Sequence, residues 1–244
     1  MSTDQAKALN ALLKKIKGTA VPEEPQRTPI EELIFSFLLW ESTTPRALRA
    51  HDRLLKHVVD VNELRVCRPP ELIAVIGTDY PRAEERTIRL RDSLHEIYLR
   101  EHEVSLENAL ALGKRDGRKY FDSITPMPQF VAARLLLRCM GAHAVPLDER
   151  LYTLLLDAEV FPEPLDMEKA TAFLERHVKA AEAAAVHGLL QAWSEENASR
   201  SGRATTRSRK KTTSRKKTTT KRKSTGPAAA ERSTPRKKTA TKRK

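Results

Sequence analysis

Cysteine is nearly missing from this chain. Among 244 residues only Cys67 and Cys139 occur, far apart and in no metal-ligand spacing. That excludes a disulfide framework, a zinc site or a cysteine-ligated iron–sulfur cluster built from this chain alone, and a reducing compartment is expected. The seven histidines offer no substitute: His51 with His57, and His95 with His102, miss the i, i+4 spacing of a helical metal pair. Neither a metal nor a cofactor is expected. Long apolar runs are absent too, since none approaches the ~18 residues of a membrane span. The N-terminus alternates polar and apolar residues (Gln5, Ala6, Lys7, Ala8, Leu9) without the apolar core of a signal peptide. A soluble, intracellular, monomeric protein with no membrane partner is expected. Alternating strand patterns are also rare, whereas apolar residues recur at helical period along the chain, so the fold class predicted is all-α.

What the chain has in excess is positive charge, all of it at one end. Residues 198–244 carry 19 Lys and Arg against one acid, Glu231, while residues 1–197 carry 26 bases against 31 acids. From Ala198 onward there is no Val, Ile, Leu, Met, Phe, Tyr or Trp, so nothing offsets the ordering cost of about 1–2 kcal/mol per residue and the segment is expected to be disordered when free. Its blocks of two or three cations followed by Ser or Thr (RKKTTS, RKKTTT, KRKSTG, PRKKTAT) resemble the Lys-rich tails of linker histones and of histone-like nucleoid proteins. The cations expected to meet DNA phosphates are Lys210, Lys211, Arg215, Lys216, Lys217, Lys221, Arg222, Lys223, Arg236, Lys237, Lys238, Lys242, Arg243 and Lys244. With no aromatic residue to stack on bases, contact is to phosphates alone. A solubility tail or a localisation signal is the alternative. A cytoplasmic, nucleoid-associated location follows, or a nuclear one in a eukaryotic cell.

The acidic body divides into about ten short helices. Thr28, Pro29 and Glu31 form an N-cap, a first-turn proline and a capping-box acid ahead of Ile30, Leu33, Ile34, Phe37 and Leu38. Thr44-Pro45 repeats the device. Further helices are predicted over Pro70 to Ile76, Arg82 to Arg100, Leu106 to Leu112, Lys114 to Asp122, Gln129 to Met140, Glu149 to Ala158, Met167 to Ala180 and Ala181 to Trp193. Residues 1–27 read as an isolated helix, Gln5 to Lys17, and a linker. Residues 28–197 then form the helical domain and 198–244 the tail. If the Gln5 to Lys17 helix docks a helical partner, its apolar stripe should be exposed.

Four stretches of the body resemble the helix-hairpin-helix glycosylase superfamily of base-excision DNA repair, with its two-lobed endonuclease III-like fold. PIEELIFSFLLWESTTPRAL is similar to the family's opening helix and polar turn, and IGTDYPRAEERTIRL to its Gly-x-Tyr-x-x-Lys-Ala stretch. SITPMPQFVAARLLL stands where the family has the Leu-Pro-Gly-Val-Gly-x-Lys-Thr-Ala hairpin. AHAVPLDERLYTLL resembles the segment that carries the catalytic aspartate, and it places Asp148 there. The resemblance implies a DNA-binding repair protein, and possible N-glycosylase activity on damaged bases.

Departures from the family narrow that implication. The lysine that forms a Schiff base in lyase-competent members is Phe130 here, so lysine-dependent strand cleavage is lost. The two hairpin glycines are Pro126 and Pro128, flanking Met127 and followed by Gln129, and proline has no N–H to donate to a phosphate. The glutamine that often fills the gap left by a flipped base aligns near the much shorter Ser42. Two readings of Asp148 stand side by side: it stabilises charge on the sugar as the base departs, or it simply caps the helix beginning at Glu149. Two readings of the body follow, a monofunctional glycosylase or an inactive fold kept as a chromatin or nucleoid binding module whose pocket is filled by Phe130, Met127 and Leu147. Arg82, Arg86 and Arg89 share one helical face that either touches phosphates or is a solvated charged face with a Glu85–Arg89 pair. Trp40 and Trp193 read as core anchors.

Overall fold

A computed structural model of the chain describes residues 3–161 and 165–214, with 3 and 199–214 traced by backbone alone. The described residues form α-helices and one 3-10 turn, with no strand among them. The chain is all-α, as its periodicity requires.

The first helix, α1 (Thr3–Ile16), is amphipathic, and Leu9, Leu12 and Ile16 on one face are buried in the common core. The expectation of an isolated helix is thereby corrected. A lone helix of 14 residues is marginal in water, and this one gains its stability by packing its stripe on the body. Next comes α2 (Pro29–Leu39), which starts as the sequence dictates. Thr28 Oγ1 accepts the Glu31 N–H at 3.4 Å, and Glu31 Oε2 accepts the Thr28 N–H at 2.9 Å. From Glu32 to Leu39 every side chain is buried, so α2 is the axis of the core.

Around it lie α3 (Thr44–His57), α4 (Val61–Val66), α5 (Pro69–Ile76), α6 (Ala83–Glu101), α7 (Glu107–Ala111), α8 (Lys114–Asp122), α9 (Gln129–Cys139), α10 (Glu149–Asp157) and α11 (Met167–His177). A 3-10 turn, Ala180–Glu182, leads into α12 (Ala183–Ser214). Helices α3, α6 and α9 pack on α2, α4 and α5 on α6, and α8 on α9. In α3 the cap is Thr43 rather than Thr44, with no side-chain cap bond; the Thr44 N–H donates instead to Glu195 Oε1 at 2.6 Å. One compact unit spans Met1–Ser201. Backbone helix continues from there to Ser214, past the composition break at 198.

A charged cluster sits inside the core. Arg134 of α9 is fully buried and donates to Glu24 Oε2 at 2.9 Å, Glu32 Oε1 at 2.7 Å and Ser36 Oγ at 3.2 Å, while its Nη1 lies 2.9 Å from His187 Nε2. Burial opposes the charge on Arg134, but the two carboxylates outweigh it and raise its pKa. The segment between α1 and α2 thus acts as a strap, carrying Glu24 to a buried guanidinium.

Candidate functional site

Residues 123–128 join α8 to α9 in a tight hairpin. The Met127 N–H donates to the Ile124 carbonyl at 3.0 Å, and Pro128 is the N-cap of α9. The two prolines present carbonyls where amides are absent, and Arg89 Nε of α6 takes the Pro126 carbonyl at 2.7 Å. A side chain from another helix therefore pins the hairpin. At the start of α9 the first N–H groups, those of Gln129 and Phe130, have no intrahelical acceptor.

Asp148 ends the segment 141–148 and caps α10. Its Oδ1 accepts the Leu151 N–H at 2.8 Å, so the capping role is real. Its Oδ2 reaches across the fold to accept the Glu41 N–H at 2.9 Å, and Glu41 Oε1 in turn accepts the Glu149 N–H at 2.7 Å. Glu41 follows Trp40, the C-cap of α2, with φ +54°. That left-handed position normally takes Gly or Asn and costs other residues about 1–2 kcal/mol. Sequence reasoning missed Glu41; the available signal was a long acidic residue where a helix stop favours glycine.

Beside this clasp opens a cleft of about 300 Å³, at the small end of ligand sites. Trp40, Glu41, Arg82, Arg89, Pro128, Gln129, Phe130, Leu147, Asp148, Glu149 and Met167 line it. Phe130 and Leu147 line this cleft without filling it. Met127 faces a different cleft, of about 330 Å³, with Arg118, Asp122 and Glu175. Burial, and then the charge of Asp148, pushes the Glu41 carboxyl above its usual range. Asp148 itself is 3 % exposed.

The arginine face divides. Arg86 is fully buried and donates to the carbonyls of Phe37, Trp40 and Pro81, with burial pushing its pKa down to about 10. It closes the end of α2, which corrects both the phosphate and the solvated-face readings for this residue. The reason is non-local: the last carbonyls of α2 lack partners in their own helix. Arg82 pairs with Glu85 and Glu149, and Arg89 with Glu85 at 3.0 Å. All three guanidinium groups lie 5.2–5.5 Å from the Trp40 ring. Trp40 is a buried anchor.

Ser42 is buried, its hydroxyl 3.3 Å from the Tyr80 hydroxyl. Lys210 and Lys211 fall on the backbone-traced end of α12. Arg215, Lys216, Lys217, Lys221, Arg222, Lys223, Arg236, Lys237, Lys238, Lys242, Arg243 and Lys244 lie outside the described residues. Among the described residues no group of three or more His, Cys, Asp or Glu side chains is placed to hold a metal.

No family model matches the sequence, and no curated protein matches it. Solved structures do match the fold. Endonuclease III trapped as a covalent intermediate with DNA superposes with a TM-score of 0.58 at 14% identity, over 78% of this chain and 85% of that one. The 3-methyladenine DNA glycosylase of H. pylori, bound to 1,N6-ethenoadenine, gives 0.58 at 16% identity over 80% and 97%. The 8-oxoguanine glycosylase/lyase of Clostridium acetobutylicum, on DNA, gives 0.58 at 17% identity over 80% and 70%. At these identities the likeness establishes the architecture.

Proposed function

We propose that this chain, which has the helix-hairpin-helix fold of endonuclease III, binds DNA and releases damaged bases as a monofunctional N-glycosylase. The observation that carries the reading is the open cleft beside Asp148, lined also by Trp40, Glu41, Phe130 and Leu147. A base inside a duplex is out of reach of any side chain, so a glycosylase must extrude its nucleotide into such a recess. There the Asp148 carboxylate would stabilise positive charge growing on the sugar as the base departs. Phe130 supplies no nucleophile, so water completes the reaction and the DNA strand stays intact. The reading uses side chains of this chain and no cofactor. The cationic tail would hold the protein on DNA in the nucleoid, or in a nucleus, by releasing counterions from phosphates.

A second reading, a retired fold kept as a DNA-associated module, draws on one feature: both oxygens of Asp148 already accept backbone N–H groups. Single-turnover base release from a panel of lesion-containing duplexes separates the two. Expected is release by the wild type that falls at least about 100-fold in Asp148→Asn at matched DNA binding. Absence of release on every lesion would leave the binding module.

A further inference from the structure

Resting on the glycosylase reading, we infer that Glu41 is the general acid of the cleft, and that the substrates are bases that leave uncharged and so require a proton to depart. Two carboxylates face the same recess, but they are held differently. Asp148 is almost wholly buried, with each oxygen taken by a backbone N–H. Glu41 is half-buried, gives only Oε1 to the Glu149 N–H, and its Oε2 makes no hydrogen bond among the described residues while the residue lines the cleft. Of the pair, only Glu41 has an oxygen available to hand over a proton.

Its surroundings favour holding that proton. From α10 and its N-cap it faces Glu149 and Asp148, and from α6 and its N-cap Arg86, Arg89 and Arg82; burial and the Asp148 charge prevail over Arg82. The acid with the available oxygen and the acid whose two oxygens are taken can divide the labour of proton donor and charge stabiliser. The clasp fixes the geometry. The Glu41 backbone stays in the left-handed region because its N–H is bound to Asp148, which aims the side chain along the wall of the cleft.

The chemistry balances within the site. As the C1′–N bond breaks, its electron pair stays on the base, and a ring nitrogen of the base takes the proton from Glu41 Oε2. The sugar cation left behind faces Asp148. Water adds to C1′, and the proton it sheds returns to the Glu41 carboxylate. A base already positively charged through N-alkylation leaves without this help.

The test compares two duplexes, one carrying a neutral purine lesion and one carrying 7-methylguanine, in single-turnover release by the full chain across pH. In the wild type, release of the neutral base should fall as pH rises through the Glu41 pKa. In Glu41→Gln, which keeps an acceptor for the Glu149 N–H, that release should lose its pH limb and drop at least about 100-fold more than 7-methylguanine release does. Glu41→Gly, which relieves the left-handed backbone and retains the N–H that Asp148 accepts but removes the acceptor of the Glu149 N–H, should lose release of the neutral base as well. Equal loss on both duplexes would mean a purely structural clasp and overturn the assignment. Unchanged release of the neutral base in both variants, with Asp148→Asn inactive, would overturn it and leave the glycosylase reading standing. A wild type inactive on every duplex would overturn both.

Discussion

His187 constrains where this protein is stable. A guanidinium only donates, so the contact between Arg134 Nη1 and His187 Nε2 leaves the imidazole proton on Nδ1, which has no partner. Burial first, and then the charges of Arg134 and Arg138, hold its pKa well below 6.5. The unfolded chain takes up a proton near the usual value while the native state refuses it. Stability is therefore fully present above about pH 6.5 and is lost as pH falls below it, by up to about 1.4 kcal/mol per unit. The urea midpoint should drop between pH 6.5 and 5.5 in the wild type and drop less steeply in His187→Gln, which still accepts from Arg134, the remaining slope coming in part from His51, which burial also holds below its usual range. A wild-type midpoint that is flat over this interval would refute the assignment. At this scale the sequence reveals a residue's local duty and hides its distant partner. Asp148 is legible as a cap from Asp148-Glu149 alone, but its bond to the Glu41 N–H joins positions 107 residues apart. Arg86 reads in sequence as a phosphate contact or a solvated charge, and Arg134 gives no signal, because only the tertiary fold brings carbonyls and carboxylates to them.

Among the elements, those with strong local signals are readable. The Thr28–Pro29–Glu31 cap fixes the start of α2, and the break between Asp122 and Gln129 fixes the hairpin between α8 and α9. Helix α4 escapes a reading by period, because its six residues are too few for a repeating pattern and its marker is the Asp60 cap alone. The strap before α2 has no signal of its own, yet it has energetic weight. Arg134→Leu should cost roughly 3–5 kcal/mol in urea denaturation, since Glu24 and Glu32 would lose their closer cation and be left buried with Arg27 alone, at 3.4 and 3.3 Å. Glu24→Gln should cost clearly less, because Glu32 remains paired with both Arg134 and Arg27. If both variants unfold at the wild-type midpoint, the strap carries no load.

For the whole molecule, the proposed function makes the division of charge govern binding to DNA. Removing residues 202–244 leaves the compact unit whole and takes away 18 Lys and Arg. The slope of log affinity against log salt, followed by anisotropy on undamaged duplex, should then shrink by about 0.9 for every phosphate that the tail no longer neutralises. An unchanged slope would place the electrostatic attraction on the body instead. The clasp between Glu41 and Asp148 has a further consequence, in the order of events as the chain folds. It joins the end of the second helix to the start of the tenth, so the recess cannot exist until nearly the whole body has come together. The tail needs no such assembly to be cationic. If the proposed function holds, a nascent or damaged chain would therefore acquire its attraction for DNA independently of its cleft, and a population of half-built molecules would occupy DNA without acting on it.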